Sequence, residues 1–568
     1  MTRVSRIEAR SEQQQRIERW LALDPDAGTQ AELAALMTDD PGAAAARFEG
    51  RVAFGTAGLR APMGPGPTAM NRLVVRQTSA GLMRWLTPGS TVVVGYDARH
   101  RSARFAADVA AVVAGAGGRA ELLSQPLPTP VLAHAVIDRG ADAGVMITAS
   151  HNPAADNGYK LYLGDGIQIV DPAASEIAAR IDEVAGEMAD GAIDAIPFDE
   201  GSVVVLGDEP ARRHLAAAVA ACTTDRRDVR VVYTAMHGVG GRHLLAAFDA
   251  AGFPPPMVVA EQFDPDPDFP TVAFPNPEEP GALDLAVATA EALVADGGRV
   301  DLIVANDPDA DRLAVAAPAP DGRWRRLTGD QLGALLADHL IATTTGDDRL
   351  VASSIVSSRQ IEAIAAAAGV VSVRTLTGFK WVARPIVERP DRRYLFGYEE
   401  ALGYCVGDRV RDKDGISAAL VVAELVAAAR ADGRSPFDLL ADLDRRHGPY
   451  RTAPVTLRFD GHDGAGRRAA AMEAAAADPP QELAGVPVTS TEDLGRGGDL
   501  PPTTGVVWHL ADRSRVVVRP SGTEPKLKAY VEVLGPAAAD GRAIDGDAID
   551  SVDGHLEALV AAVEQRLR

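Results

Sequence analysis

Lysine is almost missing from this chain. Of 568 residues, 57 are basic, and only five of these are lysines: Lys160, Lys380, Lys413, Lys526 and Lys528. Cysteine is scarcer still, with Cys222 and Cys405 alone. Two thiols cannot build a disulfide framework, which points to a reducing compartment. No apolar run approaches the ~18 residues of a membrane span. The segment MTRVSRIEARSEQQQRIERW lacks the apolar core of a signal peptide. The expectation is a cytoplasmic protein with no membrane partner. Positive charge is also short: 57 basic against 79 acidic residues give a net charge of −22. Such a surface repels nucleic acid, so no nucleic-acid partner is expected.

What is present is globular. Hydrophobic residues make up 46% and charged residues 24%, and at about 150 residues per domain the length suggests roughly four domains. Residues 1–50 read as a polar helical extension. From Arg51 a different rhythm begins: a short Val/Ile-rich run, a Gly-, Asp- or Ser-containing turn, then a helical pattern. TVVVGYDARH, AGVMITASHNP, VRVVYTAMHGVGG, VDLIVANDPDADR and LVASSIVSS are the runs. They do not alternate, as suits strands covered on both faces of a mostly parallel sheet. The fold class expected is α/β: three similar domains over 51–198, 199–320 and 321–446, with mixed, mostly parallel sheets. A smaller α+β domain follows over 447–568, where PVTLRFDG, GVVWHLADRSRVVVRP and LKAYVEVLG read as antiparallel strands closed by a final helix. Residues 461–505, rich in Ala, Gly and Asp, read as partly loose.

Chemistry in such sheets gathers at the carboxyl ends of strands, and five turns there stand out. Asp307, Asp309 and Asp311 alternate in DPDADR after a buried run, so their carboxylates can converge on one hard cation. A solvated acidic turn and an aspartyl phosphatase with Asp307 as nucleophile remain open. An EF-hand does not fit, because Arg312 and Pro318 stand where its Gly and Glu belong. Ser150 lies in TASHNP, at a strand end and exposed for chemistry, beside His151 and within loop reach of Lys160. A plain turn closed by Pro is the structural alternative. Arg519, Ser521, Gly522 and Thr523 in RPSGTEP, with Lys526 and Lys528 behind, offer a guanidinium fork, hydroxyls and backbone N–H groups to an anion. Glu399 in GYEEALGY, with Thr377, Gly378 and Lys380 before it, can accept hydrogen bonds from sugar hydroxyls. GTAGLR carries Arg60 on a flexible turn. Asp97 and Arg99 read as a local ion pair.

Other outlines fail. GVGG opening a helix resembles a dinucleotide-binding turn, but His243 stands where Gly or Ala allows close helix packing. No G-x-x-x-x-G-K-[ST] loop and no G-x-S-x-G elbow exists.

Taken in order, TASHNP, DPDADR, GYEEALGY and RPSGTEP resemble the phosphoserine, metal, sugar and phosphate loops of the α-D-phosphohexomutase family, the phosphoglucomutases and phosphomannomutases. The resemblance spans the chain from Arg51 onward. It implies four domains around a central cleft, and a mutase that interconverts sugar 1- and 6-phosphates of glucose or mannose through a phosphoserine and a bisphosphate. It implies that Ser150 carries the phosphoryl group and that Asp307, Asp309, Asp311 and a phosphoserine oxygen hold one Mg2+. The resemblance further implies that His151, Lys160 and Arg60 complete the catalytic set, and that Arg312, Thr377, Gly378, Lys380, Glu399, Ala401, Arg519, Ser521, Gly522, Thr523 and Lys528 bind substrate. Glucose 1,6-bisphosphate or an equivalent is the implied activator, and the expectation is a monomer or homodimer whose partners are small sugar phosphates.

One departure bears on the sugar. Many members carry Ser two residues after the first Glu of the sugar loop, and here the residue is Ala401. With TLTGFK and DKDGISAA nearby, the chain resembles the phosphoglucomutase-2 and phosphopentomutase branch. The alternatives are therefore a pentose 1-phosphate to 5-phosphate mutase, or a metal-dependent sugar phosphatase. All five lysines fall in or beside these loops. A compact ammonium with a tunable pKa is not replaced by a guanidinium in proton transfer.

Overall fold

The computed structural model describes residues 3–55, 58–192, 195–459, 461, 463–521, 526–537 and 546–568. They form two compact units, Met1–Ala316 with Gly403–Ala427, and Ala317–Leu402 with Ala428–Arg568. Among the described residues no helix is long and apolar enough to cross a membrane.

The first unit begins with helices Arg3–Leu23, Ala27–Asp39 and Pro41–Ala46. Asp40 caps the third by accepting from Ala43 N, and Pro41 fills its first turn, where a missing N–H costs nothing. Ile17, Trp20, Leu33, Ala44 and Phe48 enter the same apolar core as the first sheet. That sheet holds β1 (Leu59–Pro62), β2 (Thr91–Tyr96), β3 (Arg119–Leu123), β4 (Ala143–Ile147), β5 (Asp156–Leu163) and β6 (Val204–Leu206), in the order β1-β5-β4-β2-β3-β6. β4, β2, β3 and β6 are parallel neighbours, while β5 runs antiparallel to both β4 and β1.

A second sheet holds β7 (Val231–Thr234), β8 (Met257–Val258), β9 (Leu302–Ala305) and β10 (Ala314–Pro318) in the order β10-β9-β7-β8. Only β10 is antiparallel to its neighbour. β4, β7 and β9 are buried at every position, as their unbroken apolar sequences require of strands covered on both faces.

In the second unit, β11 (Trp324–Arg326) precedes a parallel run β13-β12-β14 built of β12 (Arg349–Ser354), β13 (Val371–Thr375) and β14 (Arg393–Glu399). β15 (Gly403–Val406) belongs to the first unit. The last sheet is antiparallel throughout. It holds β16 (Tyr450–Arg458), β17 (Glu482–Leu483), β18 (Val486–Asp493), β19 (Val506–Leu510), β20 (Arg515–Pro520) and β21 (Lys526–Leu534), ordered β16-β21-β20-β19-β18-β17. Helix Gly546–Leu567 closes the chain. The architecture is thus the expected α/β class: mixed or parallel sheets first, then a smaller antiparallel α+β domain.

The stretch expected to be partly loose is ordered instead. Gly464–Ala477 is a helix and Val486–Asp493 is a strand. Alanine is the best helix former, and GAGRRAAAMEAAAA needs no strong apolar face to form one. β18 is mostly exposed and polar, so its apolar signal is faint although its ladder to β19 is continuous apart from one irregularity.

Candidate active site

Three turns of the first unit converge: 148–155 after β4, 307–311 after β9, and 411–415 after β15. The serine and aspartate turns each hold a backbone conformation that L-residues rarely adopt. Ser150 has φ 52° and Ala310 has φ 54°, a strain of order 1–3 kcal/mol each that the surroundings must hold.

Arg99 and Asp97 hold the serine turn. Asp97 accepts from Thr148 Oγ1 at 2.7 Å and from Ser102 Oγ at 2.6 Å. Arg99 ion-pairs with Asp97 at 3.4 Å. Its guanidinium also donates to four carbonyls of the turn: Ser150 at 2.6 Å, Asn152 at 2.5 Å, Pro153 at 2.8 Å and Asp156 at 3.3 Å. The pair read as a local ion pair is therefore the scaffold of this turn.

The aspartate turn rests on glycine. A Cβ on Gly238 would lie 2.4 Å from Pro308 Cα, and Val239 N donates to Pro308 O at 2.8 Å. The GVGG turn after β7 thus serves close approach to DPDADR, which is why it imitates a nucleotide-binding outline.

Ser150 is not exposed, as the turn alone suggested, but only 3% accessible. Its Oγ donates to Asp307 Oδ2 at 2.8 Å and lies 3.1 Å from His151 Nδ1. Asp307 Oδ1 accepts from Arg312 N at 3.0 Å. Lys160 donates to Asp309 Oδ2 at 2.7 Å and Asp311 Oδ2 at 2.9 Å. Thr129 Oγ1 donates to the same Asp309 oxygen at 2.6 Å, and Lys413 Nζ lies 3.2 Å from Asp311 Oδ2. Arg60 donates to Asn152 Oδ1 at 3.1 Å, and Arg312 pairs with Glu278 at 3.0 Å. Thr129, Glu278 and Arg99 are partners that motif reading did not assign to this site, and Lys413 was placed only beside the sugar loop. The fold, not a local sequence pattern, brings them to the acidic and serine turns.

The electrostatics follow. Burial, then Asp309 and Asp311, push the Asp307 carboxyl well above its usual range. Burial also acts upward on Asp309 and Asp311. Lys160 for both, with Lys413 and Arg312 for Asp311, outweighs it and holds these two below the usual carboxylate range. Burial pulls Lys160 down, but the two carboxylates overcome it and keep an ammonium. Burial, Arg312 and Arg60 hold His151 well below 6.5, so its imidazole is neutral.

The donor set fits a divalent cation. One carboxylate oxygen from each of Asp307, Asp309 and Asp311 lies within 4.8 Å of the others. Asp309 Oδ1 and Asp311 Oδ1 are buried with no hydrogen-bond partner among the described residues. Oxygen-only ligands without His or Cys suit a hard ion such as Mg2+.

The remaining candidates lie in the second unit. Glu399 Oε1, at the end of β14, accepts from Gly378 N at 2.6 Å, which joins the Thr377–Lys380 turn to the Glu399–Ala401 turn. Thr377, Gly378, Lys380, Glu399 and Ala401 are all half-buried. Arg519 on β20 stands directly across from Lys528 on β21. Like charges facing across strands repel, and an anion between them would relieve this. Ser521 N donates to Lys526 O at 2.8 Å. Gly522 and Thr523 lie outside the described residues.

Residues 51–187, 213–320, 328–446 and 463–543 match, in turn, phosphoglucomutase/phosphomannomutase alpha/beta/alpha domains I, II and III and the C-terminal domain. A Haemophilus influenzae protein named "Probable phosphomannomutase" is 42% identical over 481 residues, 83% of this chain and 94% of its own. Human phosphopentomutase is 34% identical over 562 residues, 91% of this chain and 89% of its own. A crystal structure of a phosphoglucomutase/phosphomannomutase family protein from Burkholderia thailandensis shares the fold. Its TM-score is 0.65 at 20% identity, covering 90% of this chain and 97% of that one.

Proposed function

The chain belongs to the phosphoglucomutase/phosphomannomutase family, enzymes of the isomerase class that transfer phosphoryl groups within a sugar, and from that premise we propose that Ser150 is the phosphoryl carrier of a hexose-phosphate mutase. The observation that carries the reading is Ser150 Oγ at 2.8 Å from Asp307 Oδ2, in a strained turn that Arg99 grips from behind.

In the proposed cycle Ser150 begins phosphorylated, with about −1.5 to −2 charges near neutral pH. A free sugar hydroxyl attacks phosphorus; the new P–O bond forms as the bond to Ser150 Oγ breaks. The hydroxyl proton passes to the neutral imidazole of His151, whose Nδ1 lies 3.1 Å from Ser150 Oγ, and from there to the leaving Oγ, while the Lys160 ammonium stays charged beside the carboxylates. The sugar bisphosphate reverses its orientation, and its other phosphoryl group returns to Ser150. Arg60 and Arg312 surround the moving charge. Glu399 accepts from sugar hydroxyls, and Arg519, Ser521 and Lys528, with Gly522 and Thr523, grip the phosphate that is not reacting. Asp307, Asp309, Asp311 and a serine-borne oxygen would hold Mg2+, which when bound offsets the charge of the transferring group.

A pentose substrate is the second reading, favoured by Ala401, which removes one hydroxyl contact from the sugar turn. The test is conversion of glucose 1-, mannose 1- and ribose 1-phosphate, side by side, with Mg2+ and a sugar bisphosphate. The proposal expects a hexose 1-phosphate to turn over with the highest kcat/KM. Faster turnover of ribose 1-phosphate transfers the reading to pentoses, and release of inorganic phosphate instead of isomer makes the protein a phosphatase.

A further inference from the structure

A line of buried titratable groups lies off the reacting centre, and no step above uses it. His214, on helix Glu209–Val219, is fully buried. Its Nδ1 lies 2.8 Å from Nε2 of His243, on helix Gly240–Ala250. Its Nε2 lies 3.2 Å from Asp414 Oδ2. His134 meets the His214 ring edge-on at 6.0 Å. The two nitrogens of His214 face different partners, so the groups form a chain of hydrogen bonds and not a convergent metal cage. A carboxylate can only accept, so Nε2 of His214 donates to Asp414, and the Nδ1 tautomer is set by His243.

Asp414 has two further duties. Its Oδ1 accepts from Ile416 N at 3.0 Å and Ser417 N at 3.2 Å, capping helix Gly415–Ala431. It also follows Lys413, whose ammonium lies 3.2 Å from Asp311 Oδ2 and 3.1 Å from Asp412 Oδ1. Asp412 is fixed on its other oxygen by Tyr162 OH and Gln168 Nε2, both at 2.6 Å. Lys413 thus sits between two buried aspartates. One is clamped from β5 and the turn after it, the other by His214.

We infer that His214, backed by His243, is a positioning residue that clamps Asp414 and thereby sets the Lys413 ammonium on Asp311. The inference rests on the mutase reading for its kinetic consequence and on geometry alone for its structural one. A cation displaced from the acidic turn changes the field on the transferring group, so losing the clamp lowers kcat while substrate affinity, built elsewhere, holds.

The scarcity of lysine supplies the test. The full-length protein is acetylated at low reagent, and labelling of each of the five lysines is followed by peptide mass spectrometry. In the native chain Lys160 and Lys413, with side chains 6% and 13% exposed, label slowly. In His214→Leu, Lys413 labels about five-fold faster or more while Lys160 stays protected, because only the local turn opens. His214→Gln, whose amide nitrogen can stand in for Nε2, returns Lys413 to near its native rate. If His214→Leu does not fold, Asp414→Asn, which keeps a capping side chain, is read in the same way. Unchanged Lys413 labelling, a joint rise at Lys160 and Lys413, or equal loss in the Gln and Leu variants overturns the inference. In the mutase assay His214→Leu is expected to lose about ten-fold in kcat with KM within about two-fold. A native enzyme inert toward every sugar phosphate defeats the mutase reading and not the clamp, which the labelling decides.

Discussion

Ser150 Oγ and Asp307 Oδ2 meet at 2.8 Å although 157 residues separate them in the chain. The contact joins the turn after β4 in the first sheet to the turn after β9 in the second. Each turn holds a left-handed residue, and each is braced by a group that does no chemistry: Arg99 behind the serine, Gly238 behind the aspartates. The reacting geometry is thus maintained by backbone contacts as much as by the side chains that react.

Arg99→Lys tests the first brace. An ammonium keeps the charge opposite Asp97 but cannot serve four carbonyls at once as the guanidinium fork does. The chain should still fold, with a thermal midpoint lowered by a few degrees as buried carbonyls lose their donor. The kcat should fall about 100-fold, the scale expected for ~1 Å misplacement of a reacting group. Steady-state kinetics beside a thermal melt separate the two effects.

Thr129→Val tests the acidic turn. Thr129 Oγ1 orients Asp309 from outside the ligand set. Loss of such a partner typically costs 10–100-fold in metal affinity. Calorimetric titration with Mg2+ should show weakening by at least about ten-fold, and chelation should abolish turnover until Mg2+ is restored.

The residues legible in sequence were those whose side chains form compact local patterns. DPDADR announced three converging carboxylates, and the structure brings them together. Lys160 stood out through rarity and lies on two of them. What stayed illegible acts through backbone or at long range. The carbonyls that Arg99 grips have no side-chain signature, so only its ion pair with Asp97 could be foreseen. Gly238 looked like a phosphate-binding glycine because both uses need the same thing, a missing Cβ. His214 and Asp414 lie 200 positions apart, and neither sits in a pattern that predicts the other. The α/β rhythm was plain because its central strands, such as β4, β7 and β9, are Val/Ile-rich and buried at every position. β18 was not, because an exposed polar strand has no such mark.

The histidines predict a pH effect on stability. Burial, then His214, holds His134 down at about 4. A histidine depressed in the folded state is protonated first in the unfolded chain, so stability is lost as pH falls below the unfolded value near 6.5. At pH 5 the loss from this one residue is about 2 kcal/mol relative to pH 7. In His134→Leu the unfolding free energy should therefore fall less between pH 7 and pH 5, by about that amount, when both proteins are unfolded in urea. Equal losses would show that His134 is not held neutral.

The account turns on where the phosphoryl group resides. The protein is incubated with a sugar bisphosphate, digested, and mapped by mass spectrometry before and after hydroxylamine. The account predicts one added phosphoryl group on the peptide carrying Ser150, stable to hydroxylamine, and its absence together with the loss of mutase turnover in Ser150→Ala. A label on the Asp307 peptide that hydroxylamine removes, or undiminished turnover in Ser150→Ala, would contradict it.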